Sequence, residues 1–355
     1  MTTGARRLSF IDALRGAALV LMVVNHTARD WLDPAMGWPR VHLIYASLLL
    51  PAALFLFLAG FSLPIAYRRA EPPPALPGLL RSFARRGLGI VGAGYLLNAL
   101  ILREQPLWSG GVLQTIGLAI VLAGALLPVA HHRRVQTMLV ALVILLYLTF
   151  AAAVPALGRW SQAHPELARA LFNDFPLWPW LGAAILGLVV GSRWLDARAR
   201  GPAQEARFFT RVALTGGLCL AAVVVAELTA PTRELGFARD LVLNRHWTPR
   251  GTTLLFIVGA VAATLALSYA LVERRRAAAG WLVVLGRTAL MLYVVHQAIE
   301  LTLVKELLGI RMTSWWVYAA ATLALVALLV VLGRAWLAIR SSRHGGPAPG
   351  PPRGA

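Results

Sequence analysis

Apolar runs of roughly 18 residues or more recur along the whole of this 355-residue chain, and that recurrence removes most of the folds open to it. A run of that length can cross the hydrocarbon of a bilayer as one helix. Backbone polar groups find no water there, so each span has to satisfy its own hydrogen bonds, as a helix does. Composition agrees: 58% of residues are hydrophobic and 14% charged, where a soluble domain carries about 25% charged residues. The fold class read from the sequence is all-α, a polytopic integral membrane protein.

The hydropathy pattern predicts about ten transmembrane helices. They run Phe10 to Thr27, Leu43 to Tyr67, Gly87 to Leu102, Gly111 to Ala130, Val135 to Val154, Trp178 to Leu195, Thr210 to Thr229, Thr252 to Val272, Trp281 to Leu301 and Trp315 to Ile339. The first run is read as a retained span, not a cleaved signal. An even number puts both termini on one side. Arginines in the loops around Arg68, Arg81, Arg85 and Arg86, then Arg133 and Arg134, Arg193 to Arg207, and Arg274 to Arg276 all fall on that side, so both termini are predicted cytoplasmic. Residues 1–340 read as one transmembrane domain. Residues 341–355, ending in the Gly/Pro-rich run GGPAPGPPRGA, read as a disordered tail that cannot build a core.

The net charge of +19 comes from 34 basic and 15 acidic residues. Nearly all the cations are arginines in short loops, with Lys305 the only lysine; this is the positive-inside distribution of a membrane protein, not a nucleic-acid footprint. Cys219 is the only cysteine, so no intrachain disulfide forms, while a non-covalent homodimer stays open.

Polar residues inside the spans are few, and each is a candidate site because burying one in hydrocarbon is costly. In the first span Asp12, Arg15, Leu19, Met22 and His26 share one helical stripe. Arg15 and His26 lie roughly 16 Å apart along the axis. Asp12 and Arg15 read either as an ion pair that orients the span or as an anion clamp in which Asp12 fixes the guanidinium. His26, beside Asn25, titrates near neutrality and suits general-base or nucleophilic work; Asp30 and Asp33 follow within a loop's reach of it. The ninth span repeats the layout, with Arg287 near one end and Tyr293, His296 and Glu300 on one face, and the two Arg-to-His axes are expected to run parallel. Asn98, Gln114 and Glu227 read singly as packing hydrogen bonds, or together with His26 and His296 as the lining of a vestibule.

GLGIVGAG, Gly87 to Gly94, matches a dinucleotide fingerprint in letters only; no strand precedes it. Close helix packing on small residues explains it better, and the same holds for Leu58 to Ser62. His131 and His132 adjoin Arg133 and Arg134, whose charge disfavours a metal. No metal site is expected. From the residues alone, the polar groups at the two depths of the first span read as two ends of one membrane-crossing active site. The competing reading is a proton-coupled or small-molecule transporter using the same intramembrane Asp12, His26, His296 and Glu227.

Five ordered segments bear on that choice. FIDALRGAALVLMVVNHTARD after Arg6 and Arg7, PAALFLFLAGFSL (Pro51 to Leu63), GGVLQTIGLAIVL (Gly110 to Leu122), FPLWPWLGAAILGLVVG (Phe175 to Gly191) and LGRTALMLYVVHQAI (Leu285 to Ile299) together resemble the heparan-α-glucosaminide N-acetyltransferase catalytic family and its bacterial relatives. The resemblance implies a cell-membrane acyltransferase. Acetyl-CoA would bind from the cytoplasm as co-substrate, and an amine or hydroxyl of an extracytoplasmic sugar or glycan would accept the acetyl group. His26 would carry the chemistry with Asn25, Asp12 and His296. Arg15, Arg287, Arg85 and Arg86 would hold the CoA phosphates. Gln114 and Glu227 would face the acceptor. The family's histidine sits in an HxxW-like context; here that loop reads ARDWLDPAMGWPRVHLIYA, which leaves His42 as the second choice.

Overall fold

The computed structural model describes residues 8–68, 75–103, 105–172, 175–229, 251–275 and 278–344. Within them the chain is helical throughout, with no named strand. Helix α1 (Ser9–Trp31) leads by a short turn into α2 (Gly37–Arg68), followed by α3 (Leu76–Leu100), α4 (Val112–Ala125), α5 (Arg133–Ala163) and the short α6 (Pro165–Phe172). Then come α7 (Leu177–Ala199), α8 (Pro202–Thr229), α9 (Gly251–Ser268), α10 (Gly280–Arg287), α11 (Ala289–Gln297) and α12 (Trp315–His344). Two stretches wind more loosely as π-helix: Tyr269–Arg274 after α9 and Ala298–Leu307 after α11.

Seven helices among the described residues are long and apolar enough to cross a membrane, or eight if a bent pair counts as one span. This is a multi-pass helical architecture, with large apolar side chains such as Leu145, Leu218, Leu323 and Val331 left facing outward. Two of the ten expected spans differ in character. α4, with 14 residues, is about 21 Å long against a hydrocarbon core of about 30 Å. α3 begins well before the expected Gly87, because Leu79 and Phe83 bury one face of its first turns. Arg81, Arg85 and Arg86 therefore sit on the exposed side of a helix, not in a loop.

The expected ninth span is broken. α10 and the α11 segment meet at Thr288 with an 81° bend. At the break the Thr288 hydroxyl donates back to the Val284 carbonyl at 2.8 Å. The order of contacts divides the expected span: its first part runs against α1, while from Gly286 beside Asp12 to His296 beside His26 the chain runs with α1, in the expected parallel Arg-to-His order. Gly16 lies on the Leu282 carbonyl and Gly286 on that of Asp12, so α10 crosses α1 in the opposite sense before the chain turns into α11.

Backbone-to-backbone approach sets the packing. A methyl group added at Gly60 would overlap the Ala184 carbonyl, and one at Gly187 that of Phe57, so α2 and α7 touch main chain to main chain. Gly87 and Gly117 do the same for α3 and α4, which is the role expected for GLGIVGAG. At the Ser9 end of α1, Phe10 is fully buried. Its ring meets Trp194, Phe209 and Tyr269 edge-on at 5.7, 5.8 and 5.6 Å, tying α1 to α7, α8 and the turn after α9. The loop from Ala230 to Arg250 and the tail after His344 lie outside the described residues.

Candidate active site

Half-way along the chain's first helix nothing polar faces inward; at each end something does. Near the start, Arg15 donates to Asp12 at 3.1 Å and also to the Ser62 hydroxyl of α2. Asp12 is buried and Arg15 half-buried. The pair is thus an ion pair within α1 that also fastens α1 to α2.

Near the other end, His26 and His296 come together although 270 residues separate them. Their rings are nearly parallel, with 12° between planes and centroids 5.3 Å apart, and meet edge to edge, His26 Nδ1 lying 3.1 Å from His296 Nε2. His296 is fully buried, and its Nδ1 lies 3.0 Å from the Leu292 carbonyl. A carbonyl only accepts, so Nδ1 of His296 carries a proton. With both rings neutral, His296 Nε2 then accepts, and His26 Nδ1 donates to it. That assignment leaves His26 Nε2 with a lone pair and no partner among the described residues. The Gln297 carboxamide also meets His26 Nδ1. Which of its ends faces the ring is assigned from the network; a donating Nδ1 calls for the carboxamide oxygen.

His26 lines a cavity of about 120 Å³ together with Asn25, Asn98, Gln114, Tyr293 and Gln297. The Asn25, Asn98 and Gln114 carboxamides of the wall are held. Asn25 donates to the Ile44 carbonyl at 2.5 Å and to the Ser47 hydroxyl at 3.3 Å. Asn98 donates to the carbonyls of Leu107 and Ser109 at 3.0 and 2.8 Å, fixing the turn between α3 and α4. Gln114 donates to Ser109 at 3.4 Å, and Gly94 leaves the room its carboxamide occupies. Tyr293 sets its ring edge against His296 at 5.4 Å.

Behind the histidines an ion-paired cluster locks α1 to the turn after α11. Buried Asp30 pairs with Lys305 at 3.0 Å and Arg29 at 2.9 Å. Arg311 donates to the Asp30 carbonyl at 3.0 Å and the Trp31 indole to that of Glu300 at 3.2 Å. Glu300 is fully buried beside Asp30. Asp30 and Asp33 were expected to reach the imidazole. Asp30 holds Lys305 and Arg29 instead, and Asp33 caps the turn at Pro34 by accepting from Ala35 N at 2.7 Å.

The structure thus brings His26, Asn25, His296, Asn98 and Gln114 of the expected residues together and adds Gln297 and Ser47. The signal for Gln297 was its place beside His296; nothing in the sequence pointed to Ser47. Asp12 stands at the other end of α1, with Arg15. Arg85, Arg86 and Arg287 are exposed. His42 is exposed on the first turns of α2, its Nδ1 2.8 Å from the Trp38 carbonyl, and does not line the cavity. Glu227 lies near the end of α8 with its side chain outside the described residues.

The family model for the heparan-alpha-glucosaminide N-acetyltransferase catalytic domain matches residues 7–223. The chain belongs to that family. No curated protein matches it. For this heparan-alpha-glucosaminide N-acetyltransferase catalytic family member the matched stretch contains Asn25, His26, Asn98 and Gln114, while His296 and Gln297 come from the part beyond it. The cavity is therefore walled by both.

Proposed function

We propose that the protein is a cell-membrane acetyltransferase that takes an acetyl group from acetyl-CoA on the cytoplasmic side and delivers it to an amine or hydroxyl of an extracytoplasmic sugar or glycan. The observation that carries the reading is the open Nε2 of His26 in a polar cavity, in a chain that belongs to an acetyltransferase family. An imidazole nitrogen with a free lone pair takes the proton from an amine or hydroxyl attacking the thioester carbonyl and gives it to the departing CoA thiolate as the C–S bond breaks. Alternatively it attacks that carbonyl itself, releases CoA, and passes the acetyl group on to the acceptor. His296 is a positioning residue in this scheme: its bond to Leu292 orients the tautomer of His26. Gln114 commits one of its two amide hydrogens to Ser109 and keeps the other for the oxyanion that forms as the carbonyl is attacked. Asn25 and Asn98, whose N–H groups are already donated, offer their carboxamide oxygens to the N–H or O–H of a polar acceptor.

The donor side is proposed at the Ser9 end of α1. Arg15, Arg85, Arg86 and Arg287 would meet the CoA phosphates through charge-assisted hydrogen bonds, with Asp12 fixing Arg15. Both termini would be cytoplasmic and residues 1–340 one domain. Proteoliposomes test the direction of transfer: acetyl-CoA added on the side bearing the termini should acetylate an amino sugar enclosed on the other. Transfer only when donor and acceptor share a side contradicts the reading.

A further inference from the structure

A second and larger cavity lies away from the histidines. It is a half-open groove of about 600 Å³ between α2, α5, α7, α8 and α9 and shares no lining residue with the one at His26. Its walls are apolar: Phe57, Val143, Leu186, Val212, Ile257 and Val261 among them. Along α7 the lining runs from Pro179 to the Arg200 turn, about 30 Å at helical rise, which matches the hydrocarbon thickness of a bilayer.

One end of this apolar space is basic. Arg133 opens α5, Arg193 and Arg200 close α7, and Arg207 and Arg211 stand in the first turns of α8; all five line the cavity, and no carboxylate does. The helix directions put these five at the same end. The nearby acids are already paired. Asp196 pairs with Arg68 at 2.6 Å and Arg133 at 3.5 Å, and Glu205 accepts from the Trp194 indole at 2.9 Å and pairs with Arg198 at 3.5 Å. Arg193 and Arg200 are held by Gln136 and the Asp196 carbonyl at 3.0 and 3.2 Å. Arg207 and Arg211 have no hydrogen bond or ion pair among the described residues.

Basic residues at helix ends are explained by membrane orientation alone. A deep apolar slot ending beneath five of them, with two guanidinium groups uncommitted, asks for a ligand with both characters. We infer that this cavity binds a phosphate-headed lipid, its chain between α5, α7, α8 and α9 and its phosphate on Arg207 and Arg211. Guanidinium groups bind phosphate oxygens by paired, charge-assisted hydrogen bonds, and an apolar chain fills space that would otherwise be empty in a close-packed bundle. The same chemistry belongs to an anionic glycerophospholipid and to a polyisoprenyl phosphate. This site does not rest on the acetyltransferase reading.

Native mass spectrometry of delipidated protein tests it. Mixed micelles would contain equal phosphatidylglycerol and phosphatidylcholine in one arm, undecaprenyl phosphate and phosphatidylcholine in another, with inorganic phosphate as competitor. The expected result is one retained phosphate-headed lipid per chain in preference to phosphatidylcholine, and the arm that gives the stronger adduct names the source. Arg207→Gln with Arg211→Gln should cut the preference roughly thirtyfold, the sum of two surface cations. Ala262→Trp, which fills the cavity wall, should abolish retention with the melting temperature kept. Equal retention of phosphatidylcholine, an unchanged preference in the double variant, or complete displacement of the lipid by inorganic phosphate would overturn the inference.

Discussion

His26 Nδ1 and His296 Nε2 stand 3.1 Å apart, bringing into one hydrogen-bonded pair two helices at opposite ends of the chain. The bond has a direction, because the Leu292 carbonyl fixes the proton on the far side of His296. Chemistry at the cavity therefore depends on a residue that does not line it.

Replacing His296 by Gln should leave binding of acetyl-CoA intact and lower kcat about a hundredfold, the scale on which small misplacements of a reacting group act. A merely structural role would lower the amount of folded protein and leave kcat per folded molecule unchanged. Steady-state kinetics on protein normalised by a folded-fraction assay separates the two.

Asp30 is buried and bonded to Lys305 and Arg29. Breaking a buried pair strands the remaining charge, at about 3–5 kcal/mol for full burial. Since the Lys305 side chain keeps 25% of its exposure, the lower end applies. Asp30→Asn should lower the melting temperature in detergent clearly, and adding Lys305→Met should recover part of the loss. An additive double variant would show that the two residues do not interact.

Gly286→Ala drives a methyl group into the Asp12 carbonyl, where only main chain can give way. Overpacking of this kind costs about 1–3 kcal/mol. Gly92→Ala on α3 meets nothing within 4 Å and should be neutral or slightly stabilising, since Ala outranks Gly in a helix by about 1 kcal/mol. Thermal unfolding of both variants in one detergent gives the comparison.

Hydropathy and stripe periodicity made the helical class, the polar ends of α1 and the meeting of His26 with His296, Asn25 and Gln114 legible before any coordinates. Rarity did that work, because a polar group in an apolar span needs a partner and few exist. Three features escaped for physical reasons. The break at Thr288 lies inside one continuous apolar run, which no hydropathy window divides. The first turns of α3 look like a basic loop until Leu79 and Phe83 are seen to bury one face. Asp30 looked free to orient an imidazole because Lys305, its partner, lies 275 residues away; the contact is set by how α1 and the turn after α11 meet. The aromatic knot around Phe10 and the large cavity likewise depend on helix placement, which spacing along one helix does not specify.

The most direct measurement is transfer of labelled acetyl from acetyl-CoA to an amino-sugar acceptor by purified protein, comparing wild type with His26→Ala and His42→Ala. Loss of a general base costs about 10²–10⁴-fold, so His26→Ala is expected to fall by that factor while His42→Ala, exposed and away from the cavity, stays near wild type. Undiminished transfer by folded His26→Ala, or no transfer by wild type to any amine or hydroxyl sugar, would contradict it.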